Sequence, residues 1–169
     1  MQQTGMGGFG ADAAKGALAG AAGVWLMDRA GWALYRREDP AALAREHAAR
    51  PDGKDPAHVA AGRLAEAVGV ELSPGQPHPV GSAVHYALGV VPAILYAPLR
   101  HRLGVPGIGR GLLYGLGLFL VNDELLNPAL GLASGPAAYP WQAHARGLVA
   151  HLVLGVATDA ALDALDRIT

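Results

Sequence analysis

The sequence contains no cysteine, which excludes disulfides and thiolate metal sites and leaves the redox compartment unread. Charge is scarce as well: 16% of the 169 residues are charged, against about a quarter in an average soluble domain. What charge there is nearly cancels, with 13 basic and 14 acidic side chains. A nucleic-acid partner, which calls for a clustered basic excess, is not expected. Residues 1–12 hold no Lys or Arg, and the first apolar run passes any clear cleavage point, so no cleavable secretory signal is expected. Gly5 to Gly10 spells G-x-G-x-x-G, but no strand precedes it. Residues 1–13 are therefore read as a flexible leader and not as a dinucleotide loop. Nothing has the HExxH spacing of a metal enzyme, and no nucleophile–base pair or phosphate-binding loop supports an enzyme.

What the chain has in quantity is small and aliphatic residues. Apolar side chains make up 51% of it, and the mean hydropathy is +0.23. Most of these are Ala, Gly, Leu and Val, and small residues in such numbers let helices approach closely, as membrane helix interfaces prefer. The length fits one domain. Apolar runs at residues 14–35, 80–99, 111–132 and 143–165 are each near the ~20 residues that cross a hydrocarbon core. Arg100-His101-Arg102 and Val105-Pro106-Gly107 separate the second from the third, and Ser134-Gly135-Pro136 through Trp141 separates the third from the fourth. Trp25, Trp32, Tyr35, Tyr139 and Trp141 lie mostly toward span ends, where amphipathic rings favour the headgroup zone. A buried globular bundle is the competing reading. Against it, the runs are apolar around most of their circumference, whereas a surface helix shows a charged face. The expected fold is all-α: a polytopic bundle of four transmembrane helices.

Residues 36–79 differ in composition. Asp39-Pro40 and Asp55-Pro56 each set an N-cap acceptor before a first-turn proline. Two short helices are expected there, about Pro40–Ala49 and Pro56–Val68, forming a helical loop between the first and second spans. The Lys and Arg residues divide too evenly between the two faces for the positive-inside rule to give an orientation.

With four spans, the start and end of each helix are assigned to a face, and depth follows from the ~1.5 Å rise per residue. Measured from the long-loop face, Asp28 lies about 10 Å deep, His85 about 8 Å, Asn122-Asp123-Glu124 about 12–15 Å and His151 about 12 Å. Ionisable groups at such depth normally face a bundle interior and pair there. His85, Gly89, Pro92 and Tyr96 form one stripe, and His144, Gly147, His151, Gly155 and Thr158 another. Asn122, Asp123 and Glu124 spread over about 200° of an α-helix, so they are not expected to point inward together. Pro128 is expected to disturb the third span near Glu124. Asp28 is a candidate local partner of Arg29, and Asp159 and Asp163 are expected to snorkel to water. The layer Asp28, His85, Asn122, Asp123, Glu124 and His151 is the candidate site, with Tyr96, His144 and Asp159 secondary. No cofactor is predicted; a metal ion or a bis-His haem at His85 and His151 stays open.

Several short motifs fall at these positions: His85 with Tyr96, Gly111-Leu112-Leu113-x-Gly115, Pro128-x-x-Gly131-Leu132, and Pro140-Trp141 followed by His151-Leu152-Val153. On them the sequence resembles the YagU-like family of small bacterial inner-membrane proteins, whose molecular function is unknown. The resemblance covers the second to fourth spans best and the long loop weakly. It implies a multi-pass location in the bacterial inner membrane and no particular activity.

Two functions are carried forward. In the first, the layer makes the protein proton- or cation-responsive, because histidine titrates near pH 6.5. In the second, the protein is structural or accessory: Gly16-x-x-x-Gly20 and Gly111-x-x-x-Gly115 dock partner membrane helices or a second copy.

Overall fold

The computed structural model describes residues 6–73 and 75–168, and their regular structure is entirely helical. Helix α1 spans Met6–Tyr35. The expected leader is therefore helical from Met6 onward: Ala11, Ala13 and Ala14 continue the same run that residues 14–35 begin. Gly5, the first glycine of the G-x-G-x-x-G string, lies outside the described residues. Helices α2 (Pro40–Ala49) and α3 (Pro56–Ala67) occupy the long loop, each starting at a proline. The preceding aspartates cap them: Asp39 accepts from Ala42 N–H and Asp55 from His58 N–H, both at 3.0 Å.

Helix α4 spans Pro79–Leu99 and runs on into a 3-10 turn, Arg100–Leu103. Helix α5 opens at Ile108–Leu118, continues as a π-helical stretch, Phe119–Leu126, and closes with one α turn, Asn127–Ala129. The π stretch has a local cause. Pro128 has no N–H for the Glu124 carbonyl, and Asn127 N–H bonds to Asn122 O, five residues back. Helix α6 spans Trp141–Ile168.

Two of these helices are long and apolar enough to cross a membrane: Pro79–Leu103 and Trp141–Ile168, with hydropathies of 1.5 and 1.6. Helix α1 is longer than either but carries Asp12, Lys15, Asp28 and Arg29. The regular α portion of α5 is only 11 residues.

The long helices pack along three seams, α4 on α1, α1 on α6, and α6 on α5. Glycine sets the approach. A Cβ on Gly16 would lie 2.7 Å from the Ala93 carbonyl oxygen of α4, and one on Gly23 would collide with Thr158 of α6. Gly111 and Gly115 meet the α6 backbone at Val156 and His151, and Gly155 meets α5 at Gly111. Both G-x-x-x-G pairs are thus occupied inside the molecule. The loop helices are tied down from below. Arg63 of α3 donates to the Leu130 and Gly131 carbonyls at 2.6 and 2.7 Å, neutralising the end of α5. Ser134 Oγ donates to the Ala49 carbonyl at 2.6 Å.

Size is distributed inside out. The buried positions include Ala19, Ala93, Ala97 and Ala150, whereas Trp25, Leu95 and Leu125 are 50%, 58% and 60% exposed. Large aliphatic residues on the outside of α1, α4 and α5 continue this pattern, among them Leu18, Val91, Leu116 and Leu120.

Candidate functional site: a polar cavity and a far ion cluster

No α4–α5 seam matches the other three, and a cavity of about 740 Å³ lies among the four long helices and the loop helices. Its walls bring together the whole predicted layer, Asp28, His85, Asn122, Asp123, Glu124 and His151, with His144 added. All three residues of the Asn122-Asp123-Glu124 run face it, against the expectation that they diverge. The wider winding of the π stretch and the breadth of the cavity accommodate them on one wall.

Three histidine–carboxylate pairs line the cavity. His85 Nε2 lies 2.8 Å from Asp28 Oδ1, joining α4 to α1. That pairing replaces the expected Asp28–Arg29 contact; the Arg29 guanidinium instead sits 4.9 Å from the Trp25 ring centre. His144 Nδ1 lies 2.6 Å from Glu124 Oε1, and its Nε2 lies 3.0 Å from the Pro136 carbonyl. The third pair is looser. His151 Nδ1 donates to the Gly147 carbonyl at 2.9 Å and stands 3.6 Å from Asp123 Oδ2. Among the described residues, no group of three or more His, Asp or Glu side chains converges to hold a metal ion.

The loop side of the cavity is latched by charge. Arg146 of α6 bonds to Glu38 and Glu46 and lies 5.2 Å from the Tyr35 ring centre. Arg50 donates to Glu46 at 2.5 Å. Burial pushes the Glu46 carboxyl up, but hydrogen bonds and charge from Arg146 and Arg50 outweigh it, leaving the group below the usual glutamate range.

Tyr96 and Asp159 are not in this cavity. They belong to a second polar cluster at the opposite end of the bundle. Asp159 is 3% exposed. It accepts from Tyr96 Oη at 2.8 Å, Arg110 Nε at 2.8 Å and Arg100 Nη1 at 3.1 Å. Arg110 also reaches Asp163 at 2.9 Å, and Arg100 reaches Asp163 at 2.7 Å and Asp166 at 2.6 Å. Lys15 of α1 joins through Asp166 at 2.9 Å. The snorkelling expected of Asp159 is therefore corrected, because two guanidiniums from the α4 and α5 ends meet it inside the bundle; Asp163 meets the same two guanidiniums at the rim, its side chain 34% exposed. The sequence carried a signal for this. Asp159, Asp163 and Asp166 recur at four- and three-residue steps, one helical face, on the side where Arg100 and Arg110 also fall.

Comparison with protein-family models, with curated proteins and with solved structures finds no match.

Proposed function

We propose that this chain is a four-span membrane protein whose polar cavity responds to protons or cations. The spans are α1, α4, α5 and α6, with the long loop on one face. Two of these pass on length and apolarity alone. Support for the other two comes from their outer faces: many large apolar side chains left exposed on α1 and α5, with Gly and Ala at the helix contacts, is stable where the surroundings are lipid. Membership of the YagU-like family, and with it a bacterial inner-membrane location, belongs to the proposal and rests on the motifs quoted above.

The observation that carries the functional reading is the set of three histidine–carboxylate pairs, contributed by all four long helices to one cavity. Adding or removing protons there changes the charge of contacts that bridge helices, so helix packing and proton occupancy are linked. The accessory reading is weakened because both G-x-x-x-G faces are occupied internally. Proton flux into vesicles reconstituted with the purified protein tests the choice. Wild-type protein should speed pH equilibration over empty vesicles, and His85→Ala or His151→Ala should slow it several-fold. Wild-type flux equal to that of empty vesicles would overturn the reading and leave an accessory role.

A further inference from the structure

We propose that the cavity binds a small organic cation, an amphipathic ammonium compound, with Asp123 as its counter-ion. The inference rests on the cavity described above and adds a ligand class to it. The cavity's carboxylates are not equivalent. Asp28 meets His85, Glu124 meets His144, Asp55 caps α3, and Glu46 is held by two arginines. Among the described residues Asp123 receives no hydrogen bond; the one ionic group within 4 Å of it is His151 at 3.6 Å, whose Nδ1 proton already goes to Gly147. Nor is a cation in the wall available to it. Arg50 and Arg146, the guanidiniums that line the cavity, are both engaged by Glu46. A carboxylate left with unfilled acceptor positions in a half-enclosed, low-dielectric site attracts positive charge strongly.

The rest of the wall selects the kind of cation. A bare divalent ion requires several converging oxygen or nitrogen ligands, and no group of three or more His, Asp or Glu among the described residues offers them. The volume, about 740 Å³, falls in the range of pockets that enclose drug-sized molecules. Phe119, Leu118, Leu88 and Leu154 supply apolar wall, and Trp32 and Tyr139 add aromatic rings, a residue type that attracts ammonium groups. One anionic anchor beside apolar and aromatic surface is complementary to a cation with an organic body.

Isothermal calorimetry on the full-length protein in neutral detergent tests this, with benzyltrimethylammonium as probe and benzoate and potassium chloride as comparisons. The probe's charge is permanent, so its own protonation plays no part. Saturable binding of benzyltrimethylammonium alone is expected. Asp123→Asn should weaken it by about tenfold or more, since a lost charged contact exceeds the ~1.4 kcal/mol that tenfold represents. Glu71→Gln, outside the cavity, should not change it. Ala143→Trp, which fills cavity space without removing a charge, should abolish it and serves if the Asp123 variant does not fold. Binding of benzoate in preference, no binding of the ammonium probe, or affinity unchanged in both cavity variants would overturn the proposal. Vesicle proton flux is scored separately: flux without probe binding sinks this inference alone, and probe binding without flux sinks only the proton reading.

Discussion

Asp159 shows how much one side chain can hold in this molecule. Its carboxylate receives the Tyr96 hydroxyl and both guanidiniums, and all four groups are buried. Removing one member of a buried charged set leaves the others unpaired, so Asp159→Ala should cost about 3 kcal/mol. Tyr96→Phe removes one hydrogen bond and should cost about 1 kcal/mol. Thermal unfolding in detergent measures both, and equal losses would contradict the geometry. Glu46 makes a prediction in pH. Its folded-state carboxyl is held below the usual glutamate value of 4.5, so it contributes stability that is fully present above that value. The contribution is lost as pH falls through the lowered folded value. Hydrogen-exchange protection in α2, taken relative to the intrinsic rate at each pH, should therefore be unchanged between pH 7 and pH 5 and should fall below the ordinary glutamate range. Glu46→Gln should remove that acid-induced step.

At the scale of helices, the seams are set by what is missing from side chains. Gly155 faces Gly111 and Gly115 across the α5–α6 contact so closely that any Cβ collides with backbone. Gly155→Ala should separate these helices and lower stability by about 1–3 kcal/mol, as overpacking does. Gly117, on the same helix α5, has nothing within 4 Å of a built Cβ. Gly117→Ala should instead be neutral or stabilising by roughly 0.5–1 kcal/mol, the helix preference of Ala over Gly. The two melts, run side by side, separate packing from propensity. The loop helices behave more simply: Asp39→Ala and Asp55→Ala each remove an N-cap acceptor and should cost about 1 kcal/mol.

The whole molecule has two polar ends of different character. On the long-loop side lies an open cavity with histidine–carboxylate pairs; on the other lies an arginine–aspartate cluster, centred on buried Asp159, that ties α1, α4, α5 and α6 together. This asymmetry suits a vestibule accessible from one face under the proposed four-span topology. Accessibility tags should report both termini on one side of the membrane and a tag near Gly53 on the other. Termini on opposite sides would remove the assignment of the cavity to the loop face.

The sequence by itself determined what is local. The two loop helices begin at Asp-Pro steps because capping and proline geometry act within four residues. The Asp28, His85, Asn122–Glu124 and His151 layer was legible because a constant rise per residue converts position into depth. Proline at 128 marked where the third long helix departs from α geometry, though not that it winds as a π-helix. Only the tertiary structure decided partners. Asp28 met His85 and not its neighbour Arg29; Asp159 met two arginines from other helices and not water; both glycine motifs closed on internal seams. Such choices depend on helix rotation and order of packing, which arise from contacts between segments far apart in the chain and leave no periodic trace in any one of them.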